Sequence, residues 1–151
     1  MIYCSGCLHA CKGCHNPESH NFDSGRMFTN ELQQDIITYI RQTPFVSGLT
    51  LSGGDPMYSA VELTPFIRTI REAIPNISIW IYSGFTFENI LDSTEKFTLL
   101  KLCDVLVDGE FVLEQRDVTI PYRGSRNQRI IDIQSSIKSE RVILYNENNR
   151  N

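Results

Sequence analysis

Residues 48–56 read GLTLSGGDP, and the fold turns on how this stretch is read. Gly48-Leu49-Thr50-Leu51-Ser52 is a short strand-like run, and Gly53-Gly54-Asp55-Pro56 ends it in two turn-forming dipeptides. Ser59 and Glu62 then form a capping-box pattern. Leu63, Phe66, Ile67, Ile70 and Ile74 continue an amphipathic helix that Pro75-Asn76 ends. The order is strand, glycine turn, helix.

The same order repeats outward from this stretch. Upstream, Met1-Ile2-Tyr3-Cys4 reads as part of a strand, and Asn16 to Arg26 is a polar, turn-rich loop. Thr29 is placed to cap a helix running to about Thr43, with Leu32, Ile36, Tyr39 and Ile40 on one face and Pro44 as its stop. Downstream, Ile77 to Tyr82 is a strand closed by Ser83-Gly84. Phe87, Ile90 and Leu91, then Phe97, Leu100 and Leu102, give one or two short helices before a fourth strand, Asp104 to Gly109. Arg129 to Ile133 and Arg141 to Tyr145 are further strand candidates, and the polar tail Asn146 to Asn151 is expected to fray.

Strands alternating with helices imply right-handed βαβ units, hence an α/β fold with a mostly parallel sheet. No internal repeat or low-complexity block interrupts it, so residues 1–151 are expected to form one domain. The polar or glycine-rich ends at Ser5-Gly6, Ser52-Gly53-Gly54, Ser83-Gly84 and Asp108-Gly109 all fall at strand carboxyl ends. In parallel α/β folds that rim is where ligands bind.

Composition narrows the class. A hydrophobic content of 41% supports a real core, and a formal net charge of −4 argues against a general nucleic-acid or anionic-membrane binder. No apolar run approaches the roughly 18 residues a membrane span needs. The first residues do not read as a signal peptide, so the expected compartment is the cytoplasm. There, close-set cysteines more often mean metal or redox chemistry than disulfides.

Three of the five cysteines, Cys7, Cys11 and Cys14, lie in CLHACKGC, residues 7–14. A structural zinc site wants four ligands, which Cys4 could complete, or one of His9, His15 and His20. A simple electron-transfer cluster also wants four cysteines, but the gaps of two, three and two followed by His15 do not match the bacterial ferredoxin run. Three thiolates on a four-iron cluster would leave one iron open, which suits a metal that must coordinate a small molecule.

The C-x3-C-x2-C loop after a first strand resembles the signature of the radical S-adenosylmethionine (SAM) enzymes. Within that superfamily, five blocks together resemble the glycyl-radical activases of anaerobic ribonucleoside-triphosphate reductase. They are Ser5 to Asn16, Leu51-Ser52-Gly53-Gly54-Asp55-Pro56, Trp80 to Phe85, Asp104 to Gly109 and Arg123 to Gln128. The resemblance runs in order from about residue 3 to about residue 129. It implies a partial, open barrel of roughly four to six mostly parallel strands with outer helices.

The resemblance further implies that Cys7, Cys11 and Cys14 hold a [4Fe-4S] cluster whose open iron chelates SAM. Reductive cleavage of SAM would then generate a glycyl radical on the large subunit of the reductase. A low-potential electron donor such as flavodoxin is implied, as is a cytoplasmic setting with no nucleic acid and no membrane. No catalytic residue beyond the cluster ligands is expected.

For cofactor binding, the resemblance assigns Gly53, Gly54 and Asp55 to the amino group of SAM. The chemistry fits, since glycines allow close approach and a carboxylate pairs with an ammonium; the alternative is a plain strand-to-helix turn. Gly13, Cys14 and His15 are assigned to the segment facing SAM at its adenine. Ser83 and Asp108 have two readings, contact with the ribose or carboxylate of SAM or capping of neighbouring turns. Arg123 to Arg129 is expected at the SAM site or the partner surface. Two departures from the family stand out: its leader with a Gly-Pro-Gly turn does not precede the first strand here, and His15 occupies a position that is often tyrosine. Cys4 and Cys103 read as buried core thiols, and Trp80 as packing. A zinc-stabilised interaction module and a simple iron–sulfur electron carrier are the alternatives.

Overall fold

A computed structural model describes residues 1–146. Five strands form one open sheet in the order in which they occur in the chain: β1 (Ile2–Cys4), β2 (Gly48–Gly53), β3 (Ser78–Ser83), β4 (Val105–Asp108) and β5 (Arg129–Asp132). The first four are parallel and β5 returns antiparallel to β4. Between them run α1 (Asn30–Gln42), α2 (Ala60–Ala73), α3 (Phe87–Leu91) and α4 (Thr94–Leu100), and α5 (Ile133–Ser139) follows β5. The α/β expectation holds, and the sheet is mostly parallel and does not close.

Sequential strand order with right-handed crossovers puts the connecting helices on one face of the sheet. Alternation along the strands then fills the core. Leu51, Ile79, Ile81, Leu106 and Ile131 are fully buried on that face, packed with Phe66, Ile67 and Ile70 of α2 and Leu99 and Leu100 of α4. Each such side chain contributes about 1.5–3 kcal/mol relative to exposure. The opposite face carries Thr50, Trp80 and Tyr82, and the Trp80 ring lies 5.0 Å from Tyr122 and 5.2 Å from Tyr145. Trp80 is packing, as its alternation with Ile79 and Ile81 predicts.

Thr29 caps α1 by accepting from Leu32 N at 3.3 Å. Of the expected face, Ile40 is buried and Leu32 and Ile36 are half-buried, whereas Tyr39 is 63% exposed and Ile37 turns inward in its stead. The Ser59–Glu62 capping box does not form. Asp55 instead caps a short 3-10 turn, Pro56–Ser59, that leads into α2. The run after Arg129 also divides differently: Asp132 ends β5 and accepts from Ser135 N, so Ile133 opens α5 rather than extending the strand. Arg141 to Tyr145 lies beside β5 but joins it through the single bridge Ile131–Leu144. The fraying expected for Asn146 to Asn151 lies, from residue 147 on, outside the described residues. Among the described residues, no helix is long and apolar enough to cross a membrane.

Candidate metal and cofactor site

Because β1 to β4 are parallel, their carboxyl ends share one rim, and the loops leaving them meet there. The cysteine loop leaves β1 and is laced to the turn after β2. Gly54 N donates to Cys4 O at 2.8 Å, Asp55 N to Gly6 O at 2.9 Å, and Gly6 N to Ser19 O at 2.8 Å. Glycine is required at this crossing. Gly53 sits at φ +103°, and a Cβ on Gly54 would lie 2.5 Å from Gly6 O. Further along, Ala10 (φ 52°) and Gly13 (φ 76°) take left-handed conformations that curl the loop back, and Cys14 N closes onto Cys11 O at 3.1 Å.

The curl turns Cys7, Cys11 and Cys14 toward one cleft of about 230 Å³, whose walls include His15, Gly53, Gly54, Ser83 and Gly84. A larger cavity of about 940 Å³ opens where Gly48 and Ser78 begin their strands, and it holds no thiol. All five cysteines are free. Burial pushes the Cys7 and Cys11 thiols above their ordinary range, and the Asp55 charge adds to this at Cys7. A metal would have to displace those protons.

Among the described residues, no three His, Cys, Asp or Glu side chains converge on a point where one ion could sit. Thiols suit both zinc and iron–sulfur clusters, and on a four-iron cluster each thiolate would take a separate iron. Cys4 faces away, lining a groove with Ser5 and Phe22, and burial pushes its thiol to about 11. Cys4 is therefore half-buried rather than a full core thiol, while Cys103 is fully buried, with its thiol at about 12. The three-thiol set of the sequence reading is the one that shares a cleft.

Asp55 is 1% exposed. Its Oδ1 accepts from Met57 N at 2.9 Å, and its Oδ2 accepts from Ser83 Oγ at 2.9 Å, Gly84 N at 2.9 Å and His9 Nε2 at 2.8 Å. The carboxylate is surrounded by protein donors and stands behind the Gly53-Gly54 wall rather than at the cleft surface. Ser83 lines the cleft, but its hydroxyl donates to Asp55 and accepts from Phe85 N at 3.1 Å. Asp108, also 1% exposed, accepts from Phe87 N at 2.7 Å and from Arg129 Nε at 3.0 Å, with Arg129 Nη2 paired to it as well. These bonds match the capping reading. Burial this deep has to be met by hydrogen bonds, and Asp108 spends its oxygens on α3 and β5.

The His15 ring sits 5.2 Å from Phe111 at the cleft edge, and Gly13 lies at the turn between Cys11 and Cys14. In the Arg123–Arg129 segment, Gln128 Oε1 accepts from Gly124 N at 2.8 Å, its Nε2 donates to Gly109 O at 2.9 Å, and both Gly124 and Gln128 line the cleft. Arg129 points elsewhere, to Asp108 and Glu88. From the sequence, His9 is expected only as a substitute ligand. Its ring is instead held between Asp55 and Glu110, and the hydrogen bond to Asp55 raises its pKa against the opposing effect of burial. No local pattern announces this, because the partners lie 46 and 101 residues away.

The family described as a 4Fe-4S single cluster domain matches residues 1–131 of the chain. Three relatives share the name anaerobic ribonucleoside-triphosphate reductase-activating protein. Those of Haemophilus influenzae and Vibrio cholerae are each 39% identical over 132 residues, covering 85% of this chain and 84% of theirs. That of Pasteurella multocida is 34% identical over the same shares.

Proposed function

Since the chain belongs to the family of anaerobic ribonucleoside-triphosphate reductase-activating proteins with a 4Fe-4S single cluster domain, we propose that it is a radical SAM activase. Its substrate in this reading is the large subunit of that reductase, on which a glycine Cα loses a hydrogen atom to the 5′-deoxyadenosyl group of SAM. The products are a protein glycyl radical, 5′-deoxyadenosine and methionine. The open five-strand sheet is then the partial barrel of the radical SAM superfamily. A low-potential one-electron donor such as flavodoxin and a cytoplasmic setting belong to the same proposal.

The observation that carries the reading is the meeting of three free thiols and a double-glycine turn in one cleft at the strand carboxyl ends. Cys7, Cys11 and Cys14 would hold the [4Fe-4S] cluster. When bound, the cluster supplies an open iron for the amino and carboxylate groups of SAM and the electron that cleaves its sulfonium. Gly53 and Gly54 leave room for the methionyl end to approach the backbone. Asp55 acts on the ammonium through its charge, one layer behind that turn, and fixes the turn through Met57 and Gly84. Ser83 keeps the Asp55 carboxylate in place and forms part of the wall. Gly13, Cys14 and His15 form the adenine side, where the exposed His15 ring offers an aromatic face.

Anaerobic reconstitution with iron and sulfide tests the proposal. The expected result is a brown protein that binds SAM and, once reduced, forms 5′-deoxyadenosine. Colourless protein retaining zinc in air would favour the interaction module. Redox activity without SAM binding would favour a simple electron carrier.

A further inference from the structure

The cysteine loop has a weak point. Cys7 N is anchored to His20 O and Cys14 N to Cys11 O, but among the described residues no backbone–backbone hydrogen bond holds Leu8, His9 or Ala10. An arc without backbone–backbone hydrogen bonds, and with left-handed backbone at Ala10, loses conformational entropy when it is ordered. Something must hold it against the rim.

One side chain in the arc is largely covered. Leu8 is 69% exposed and Ala10 and Lys12 are exposed, whereas the His9 side chain is 9% exposed. Its Nε2 lies 2.8 Å from Asp55 Oδ2 and its Nδ1 3.1 Å from Glu110 Oε1, hydrogen-bond contacts on both sides of the ring. Phe85 meets it edge-on at 4.6 Å, and Tyr58 lies at 5.7 Å. Gly84 leaves the space it occupies, since a Cβ there would come within 2.5 Å of the ring. Asp55 follows β2, Gly84 and Phe85 follow β3, and Glu110 follows β4. A single ring therefore joins the loop leaving β1 to the ends of the next three strands.

We propose that His9 is a positioning residue for the three thiols, locking the Cys7–Cys11 arc against β2, β3 and β4 before any metal arrives. The inference rests on the reading that Cys7, Cys11 and Cys14 hold the cluster. Without the lock the arc samples other shapes, and apparent affinity falls with the fraction of molecules whose thiols are correctly placed.

The test is a chelator challenge of the anaerobically reconstituted protein. It follows iron retention and the electron paramagnetic resonance (EPR) spectrum of the reduced cluster, beside far-UV circular dichroism and thermal melting. His9→Ala is expected to lose iron roughly tenfold faster, the scale of one charge-assisted hydrogen bond, and to broaden the spectrum. His9→Gln, whose amide nitrogen can still donate to Asp55, is expected to recover to within about threefold on the same scale. Gly84→Ala displaces the ring while leaving His9 present, and is expected to match His9→Ala. If His9→Ala fails to fold, the Gln and Gly84 variants decide the matter. Iron loss at the wild-type rate with an unchanged spectrum would overturn the proposal, as would a Gln variant as leaky as the Ala variant. Cys11→Ser run in parallel separates the two readings. If it keeps its cluster, the ligand assignment fails; if it is empty while His9→Ala holds iron normally, only the role of His9 fails.

Discussion

The Ser83 hydroxyl donates a 2.9 Å hydrogen bond to the Asp55 carboxylate, tying the end of β3 to the turn that follows β2. With Met57 N, Gly84 N and His9 Nε2 also donating, Asp55 is the knot of the rim. Asp55→Asn must aim an amide NH2 at one of these donors. A buried group left unpaired costs about 1–3 kcal/mol, so denaturant unfolding should show a loss of that size together with weaker iron retention. Wild-type stability with only SAM affinity reduced would mean that the carboxylate meets the ligand directly.

Gly54 and Gly13 are expected to respond differently to alanine. At Gly54 the added Cβ would lie 2.5 Å from the Gly6 carbonyl oxygen, part of the backbone lacing. At Gly13 it would lie 3.0 Å from the tip of Leu113, a side chain that can move, with φ +76° as the main strain. Gly54→Ala should cost more than about 2 kcal/mol, within the range for forced overpacking, and Gly13→Ala about 1–2 kcal/mol from its left-handed backbone. Urea melts of the two apo-proteins would check the order. Equal losses would mean that the lacing does not hold the turn.

Glu88 gives a pH signature. Its hydrogen bond to Arg129 holds its pKa down at about 2, below the ordinary 4.5. A depressed carboxylate contributes stability above its ordinary pKa, and that contribution is lost as pH falls through the folded value. The advantage of wild type over Glu88→Gln should therefore be full near neutrality and shrink between about pH 4.5 and about pH 2. Because the Glu88 side chain is 58% exposed, the full advantage should stay below about 1 kcal/mol. A difference that grows on acidification would contradict the assignment.

Legibility in the sequence followed the range of each interaction. The four parallel strands and their glycine ends were readable because apolar runs, alternating in β2 and β3 and continuous in β4, and turn dipeptides are local signals. The Thr29 cap was readable for the same reason. The hydrogen bonds that hold Asp55 were not readable, because His9, Ser83 and Gly84 lie 46, 28 and 29 residues from it and only Met57 is local. Ser59 stands at the N-cap position of α2 without a side-chain cap, while Asp55 caps the 3-10 turn before it. The direction of β5 depends on how residues 109–128 wrap the rim, and no local pattern encodes that path. Helix α5 was hidden because Ile133 prolongs the apolar alternation of β5. At the site, cysteine spacing and the Gly-Gly turn were visible, whereas the His9 lock was not.

Serine substitution separates ligands from bystanders. Cys7→Ser, Cys11→Ser and Cys14→Ser should each leave the reconstituted protein without a stable cluster, because each removes one of three thiolates. Cys4→Ser and Cys103→Ser should keep the iron, since neither thiol lines the cleft. Iron and sulfide analysis reads the result directly. Loss of metal in Cys4→Ser as complete as in Cys11→Ser would restore a four-ligand site.

The most direct test of the proposed activity is EPR of the reductase large subunit after incubation with the reduced, reconstituted protein and SAM. The account predicts an organic radical on that subunit, with deuterium from a glycine labelled at Cα appearing in 5′-deoxyadenosine. SAM cleavage with no radical on any protein, and label arriving from a small molecule instead, would contradict it.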